Sequence, residues 1–332
     1  MGCKVWVLKV LFASICMGVG QFFYAVNFSS FGMLGIGFIG PLPFVIIVAF
    51  KVALACKTKV VTGAFIDKNN SNLVDKEGKL KKKNLIPLLG NLYGNFAHIF
   101  FYSLAYKFAK MGGINQGVVP ILTLFAAIFN CVAFYFGFNE KLNFPKVLGM
   151  MLAILCGCLL LVDSAGKKGE TFIDESGAEQ SKALYSFYSL GLAFLVPIAL
   201  SSKHYLIRKY QSSYNYYFLA IDSAILESLS CSIFFLVFMA DNEVEIEQLL
   251  IGGLTGGLMI IGRIYIAVGI AEGVAGPAQS VMSTNGIWMT ILAVTVDGQE
   301  LSFLQLMGIV SGLSGAFTVG MGDFLMGKIM KQ

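Results

Sequence analysis

Charge is what this sequence lacks. Asp, Glu, Lys and Arg together make up 13% of its 332 residues, about half the ~25% of an ordinary soluble domain. With 57% hydrophobic residues and a mean hydropathy of +0.76, this excludes a water-soluble globule and leaves the polytopic membrane class. Histidine is scarce, at two residues, and no Cys/His group has metal-ligand spacing. There is no Gly-rich phosphate loop ending in Lys-Ser/Thr and no nucleophile elbow. No metal, cofactor or enzymatic centre is therefore expected. The seven cysteines (Cys3, Cys16, Cys56, Cys131, Cys156, Cys158 and Cys231) lie in apolar runs or at their ends, as packing residues rather than a disulfide framework. The lysines from Lys79 to Lys83 have no aromatic neighbours, which suits anionic lipid and not nucleic acid. No small-residue cleavage site closes the first apolar run, so a retained first span is expected. Trp6 stands where a myristoylation pattern needs Ser/Thr, so no lipid anchor is expected at MGCKVW.

Long apolar runs are what the chain has. Residues 111–162 read as two helices joined by the short turn Asn139-Glu140-Lys141-Leu142-Asn143, with Pro145 suited to a first helical turn. Each run has about 20 residues or more, enough to cross a ~30 Å hydrocarbon core. A similar unit returns near the C-terminus. A shift of 159 positions places Gly117 on Gly276, Glu140 on Gln299, Leu142 on Leu301, Phe144 on Phe303 and Gly149 on Gly308.

Around these two copies the sequence predicts an all-α polytopic membrane protein with ten transmembrane helices: 8–27, 33–55, 85–107, 113–138, 144–163, 183–204, 215–240, 249–270, 274–296 and 302–324. Residues 1–166 form a first five-span repeat, with a mobile cytoplasmic loop over 57–84. Residues 167–182 form a solvated linker, and 183–332 a second five-span repeat. An odd number of spans per half makes the repeats inverted, a plan common in secondary transporters. Of the 24 Lys and Arg residues, eighteen fall on the side of the N-terminus. Five (Lys107, Lys110, Lys167, Lys168, Lys182) fall opposite, and Arg263 lies within a span. That bias predicts both termini in the cytoplasm.

The fourth/fifth-span unit, with Pro120 in the helix, Glu140 in the turn and Gly149 nine residues later, resembles the EamA-type drug/metabolite transporter superfamily. Gly298-Gln299-Glu300-Leu301-Ser302 followed by Gly308 resembles the same turn in the second half. The resemblance covers essentially the whole chain. It departs at Gln299, where the family often has Glu, and in the longer loop over 57–84. It implies movement of small organic solutes by alternating access, as exchange or ion-coupled transport. A nucleotide-sugar or phosphorylated-metabolite exchanger of an internal membrane is the variant reading. A non-transporting scaffold or lipid-binding protein is the reading from another class. The expected partners are a small-molecule solute and membrane lipid; a homodimer is left open.

Polar residues inside spans are costly, so each is a candidate. Asn91, Asn95, His98 and Tyr102 are spaced to share one helix face, as a solute-lined wall or as interhelical polar glue. Asp222 and Arg263 count to the same depth, which predicts a salt bridge, or else leaves Arg263 to hold an anionic solute group. Glu227 counts to the depth of His98 and Gln21. It reads either as a proton or cation coupling site or as a neutral carboxyl satisfied by nearby serines. Asp222 and His98 are further coupling candidates. Gln279 and Thr284 lie in the Gly/Pro-interrupted start of span 9, the kind of segment that points to a binding region. Gln21, Tyr24 and Trp288 add hydrogen bonding and an aromatic wall. Tyr214, Tyr216 and Tyr217 read as interface anchors. Lys203 and His204 read as an orientation signal at the end of span 6, with Lys203 able to attract anions.

Overall fold

The computed structural model describes residues 5–67, 71–173 and 177–329, with side chains described as far as Gly320 and at Gly322. The acylation-site reading at Cys3 and the centre of the first polar loop at Asn69-Asn70 lie outside these residues. The elements run α1 (Val5–Phe28), a 3-10 segment (Ser29–Ile39), α2 (Pro41–Thr62), α3 (Lys82–Met111), a second 3-10 segment (Gln116–Thr123), α4 (Leu124–Phe138) and α5 (Phe144–Gly166). There follow β1 (Thr171–Ile173), β2 (Glu179–Ser181), α6 (Lys182–Tyr210), α7 (Tyr216–Asp241), α8 (Ile246–Glu272), α9 (Ala275–Met282), α10 (Asn285–Thr295) and α11 (Phe303–Ile329).

Local chemistry sets the ends of these helices. Asn143, Ser181 and Asn215 cap α5, α6 and α7 by accepting backbone N–H groups. A reciprocal box of Glu245 and Gln248 opens α8. Two spans are broken. Pro120 sits inside the second 3-10 segment, where its missing N–H prevents a regular ladder. Between α9 and α10 the hydroxyls of Ser283 and Thr284 donate to the carbonyls of Gln279 (2.9 Å) and Val281 (2.8 Å), competing with the helix's own bonding.

Among the described residues, seven helical stretches are long and apolar enough to cross a membrane; one of them, Val5–Thr62, holds both α1 and α2. The chain is an all-α integral membrane protein. Large apolar side chains such as Ile46 (66%), Phe136 (78%) and Leu236 (66%) are exposed, while amides, a lysine and an arginine are inside, the distribution that lipid rather than water imposes.

Two connections differ from expectation. The loop over 57–84 begins later, because α2 continues to Thr62 and stops at Gly63 with φ +76°. It is also tied down: Asn84 Nδ2 donates to the carbonyls of Asn72 (2.6 Å) and Ser213 (2.9 Å), and Asn215 N–H donates to Asn72 Oδ1 (3.1 Å). The linker carries an antiparallel hairpin that pairs Thr171 with Ser181 and Ile173 with Glu179.

The helices pair across the two halves of the chain. α1 packs on α8, α3 on α6 and α5 on α11, while α4 lies on α9 and the second 3-10 segment on α10. Glycines let these backbones approach. A Cβ on Gly117 would strike the Thr290 backbone, and one on Gly276 would strike Cys131 Sγ. On Gly149 a Cβ would sit 2.5 Å from Val319 Cγ2; on Gly308 it would meet Leu160 Cδ2 at 3.2 Å. Replacing Gly117 with Ala is expected to cost about 1–3 kcal/mol through overpacking, read as a lower Tm in detergent. Gly191→Ala is the control, because its Cβ meets nothing within 4 Å and Ala favours helix.

Candidate functional site

The polar face of α3 is buried. Asn91, Asn95, His98 and Tyr102 are each no more than 3% exposed, and the first three meet polar groups of other elements. Asn91 Nδ2 donates to Ser223 Oγ of α7 (2.6 Å). Asn95 Oδ1 accepts from Lys203 Nζ of α6 (2.7 Å). His98 Nε2 lies 3.4 Å from Gln21 Nε2 of α1, and Gln21 Oε1 accepts from Asn285 Nδ2 of α10 (2.7 Å). The Tyr102 ring packs edge-on to His98 at 4.7 Å.

Of these four residues His98 alone lines a small cavity of about 20 Å³, room for about one water molecule; Asn91, Asn95, Tyr102 and also Gln21 lie outside its wall. Its wall includes His98 from α3, Thr123 from the second 3-10 segment, Lys203 and His204 from α6, Arg263 from α8, Gln279 from α9 and Asn285 from α10. Both broken spans therefore reach it. Lys203 is only 2% exposed. It was expected at a helix end, but α6 continues to Tyr210, about 10 Å further at ~1.5 Å per residue. Sequence hydropathy ends the span too early because the last turns of α6 are polar. Among the described residues Lys203 has no carboxylate partner; its bond is to a neutral amide.

Arg263 pairs with Glu227 of α7, with side chains 6% and 4% exposed. This corrects the expected Asp222–Arg263 bridge. Asp222 instead pairs with Lys51 of α2 (2.5 Å) and accepts from Tyr214 Oη (2.7 Å). Asp222 and Glu227 are five residues apart, about 140° around a helix, so equal depth did not bring Asp222 to Arg263. Glu227 was expected free for coupling or held by nearby serines; its Oε1 is instead held by the guanidinium, an opposite charge, and its Oε2 is buried without a partner. Tyr214 is fully buried and is no interface anchor. Arg263 spends one nitrogen on Glu227, while its Nε and Nη2 have no protein partner. His98 Nδ1, His204 Nε2, Gln279 Oε1 and Asn285 Oδ1 are likewise buried without one. Such atoms are costly unless something else bonds them.

The other sequence candidates fall elsewhere. Tyr24 Oη donates to Ser103 Oγ (2.8 Å) in a buried tyrosine cluster. Thr284 and Trp288 both reach Ser14 of α1, at 3.0 and 3.3 Å, and do not line the cavity. Asn130, a lone amide in the apolar run of α4, was overlooked. Its Nδ2 lies 3.0 Å from His204 Nδ1, and its position inside a span was the available signal.

No family model matches the chain, and no curated protein matches it. Fourteen solved chains resemble it in fold. One, described only as the crystal structure of a protein, has a TM-score of 0.56 at 16% identity, covering 94% of this chain and 96% of the other. That likeness concerns the fold alone.

Removing one partner of the buried pair strands the other charge. Arg263→Met alone is expected to cost about 3–5 kcal/mol, and Arg263→Met with Glu227→Gln to recover most of it. Thermal or denaturant unfolding in detergent measures both. The Lys51–Asp222 pair is partly exposed, so Asp222→Asn should cost no more than about 1 kcal/mol.

Proposed function

We propose that this protein is a secondary transporter that moves a small organic solute bearing a carboxylate or phosphate by alternating access. The observation that carries the reading is the pairing of Lys203 and Arg263 on one cavity wall. Lys203 and Arg263 bring two positive charges against the single carboxylate of Glu227. A buried ammonium without a counter-charge is expensive, and an anionic solute supplies that charge. The free Arg263 nitrogens suit a planar carboxylate or a phosphate. The amides and imidazoles supply the remaining donors and acceptors.

In this reading the chain crosses the membrane ten times, in two inverted five-helix halves of the EamA-type plan, with both termini cytoplasmic. Contacts support a two-fold relation between the halves, and the odd number of spans per half would make it an inverted one. Under the 159-residue shift, Gly117 against Thr290 becomes Gly276 against Cys131. Likewise Gly149 against Val319 becomes Gly308 against Leu160. A contact between the halves that maps onto a second contact, with the two halves exchanged, is what a two-fold axis between the halves produces. The small cavity is then the occluded state between two open ones.

The interior also supports a second reading. Most of its polar groups bond one another and the cavity is far smaller than an organic solute, as a non-transporting scaffold would have it. Solute-induced stabilisation separates the two. A ligand that binds only the folded state raises stability by RT ln(1 + [L]/Kd), about 2.7 kcal/mol at 100 times Kd. Carboxylate- or phosphate-bearing metabolites are expected to raise Tm, with neutral sugars and organic cations inert. Lys203→Met should abolish the shift. A panel with no stabilising anion gives the scaffold reading the advantage.

A further inference from the structure

Among the described residues, six buried polar atoms of the cavity wall have no protein partner: Arg263 Nε and Nη2, His98 Nδ1, His204 Nε2, Gln279 Oε1 and Asn285 Oδ1. The contacts on the other side of each residue decide what these atoms offer. Gln21 Nε2 lies 3.4 Å from His98 Nε2, and Asn130 Nδ2 lies 3.0 Å from His204 Nδ1. A ring nitrogen that faces an amide N–H accepts, so the opposite nitrogen of each ring carries the proton and donates. Gln279 Nε2 donates to Ser283 Oγ (3.2 Å), and Asn285 Nδ2 donates to Gln21 Oε1 (2.7 Å). Each amide is thereby left its oxygen. The wall offers four donors and two acceptors.

An anion answers the donors and the Lys203 ammonium but not the acceptors. An ionised carboxylate has no hydrogen to give Gln279 or Asn285. These two residues need a donor on the solute, close to its anionic group. An ammonium donates, but it sets a third positive charge beside Lys203 and Arg263. A hydroxyl donates without charge and also accepts, so it serves an amide oxygen and an imidazole N–H together. A single water makes about three hydrogen bonds, fewer than the six atoms present. The fold brings the two acceptors to one place. Gln279 of α9 and Asn285 of α10 would lie about 120° apart around an unbroken helix. The chain is interrupted between them at Ser283 and Thr284, and both reach the same small cavity.

We infer that Gln279 and Asn285 are specificity residues that read a hydroxyl group on the solute, so that the cargo is a hydroxylated carboxylate or phosphate. Lys203 and Arg263 hold the anionic group, while the two amide oxygens take the hydroxyl hydrogens. The inference rests on the anionic-solute reading and narrows it.

The test is thermal unfolding of purified full-length protein in detergent, titrated with pairs of compounds that differ by the hydroxyl: lactate and propionate, malate and succinate, glycerol 3-phosphate and propyl phosphate. Alanine serves as the ammonium counterpart of lactate. The carboxylate and phosphate pairs separate the two kinds of anion. In each series that stabilises the protein, the hydroxylated member is expected to act at a concentration about tenfold or more lower than its partner, the scale of leaving a buried polar atom unpaired. Alanine should do no better than propionate. Gln279→Met and Asn285→Leu should each weaken the hydroxylated member towards its partner and leave the partner unchanged, whereas Lys203→Met should weaken both. The comparison on the unaltered protein needs no substitution, so it decides even where a variant does not fold. Equal stabilisation within every pair, a difference that persists in both folded variants, or alanine matching lactate overturns the inference and leaves the anionic-solute reading standing. No stabilisation by any of these anions overturns both.

Discussion

Hydrocarbon offers no hydrogen bonds, and the interior of this protein is organised by that constraint. Every amide, imidazole and charge on the inner faces must find its partner within the protein or in what the protein binds. The buried pair of Arg263 and Glu227 is the strongest expression of it. It fixes α8 against α7 at the level where α1, α3 and α10 meet through Gln21, His98 and Asn285. Lipid-facing surfaces carry no such demand and are left to apolar side chains. Glycine contacts then set how closely the helices approach, through van der Waals packing rather than hydrophobic burial.

Lys203 breaks the neutrality of this interior. Its neighbour Asn95 solvates the ammonium without cancelling its charge. Together with Arg263 it sets two cations against the one carboxylate of Glu227, beside unpartnered groups of both kinds: Arg263 Nε and Nη2 as donors, Gln279 Oε1 and Asn285 Oδ1 as acceptors. A purely structural core of the same shape would be better served by an apolar residue at that position. In the proposed transporter that charge has a use, whereas folding alone gives it none. The second 3-10 segment, α9 and α10 all reach the cavity.

The helices were legible because their causes are local: apolar runs of sufficient length, Asn and Ser caps, and Pro120 inside a span. The polar spacing of α3 was legible for the same reason. What escaped was relational. Axial depth can be counted along a helix, but Asp222 and Glu227 differ in direction around α7, and direction chose the arginine's partner. The span containing Lys203 was cut short because its final turns are polar, although the helix runs on to Tyr210. Asn130 and His204 meet in one contact across α4 and α6 that no spacing in the sequence reveals.

The central claim is that the excess positive charge at Lys203 and Arg263 exists to carry an anionic solute across the membrane. Counterflow in proteoliposomes tests it most directly. Purified protein is reconstituted with an internal pool of phosphorylated and carboxylated metabolites, and entry of the same compounds in labelled form is followed. The account predicts saturable entry that requires the internal anion pool and disappears in Lys203→Met. Folded, correctly inserted protein that moves none of these anions, or moves them equally well without Lys203, would contradict it.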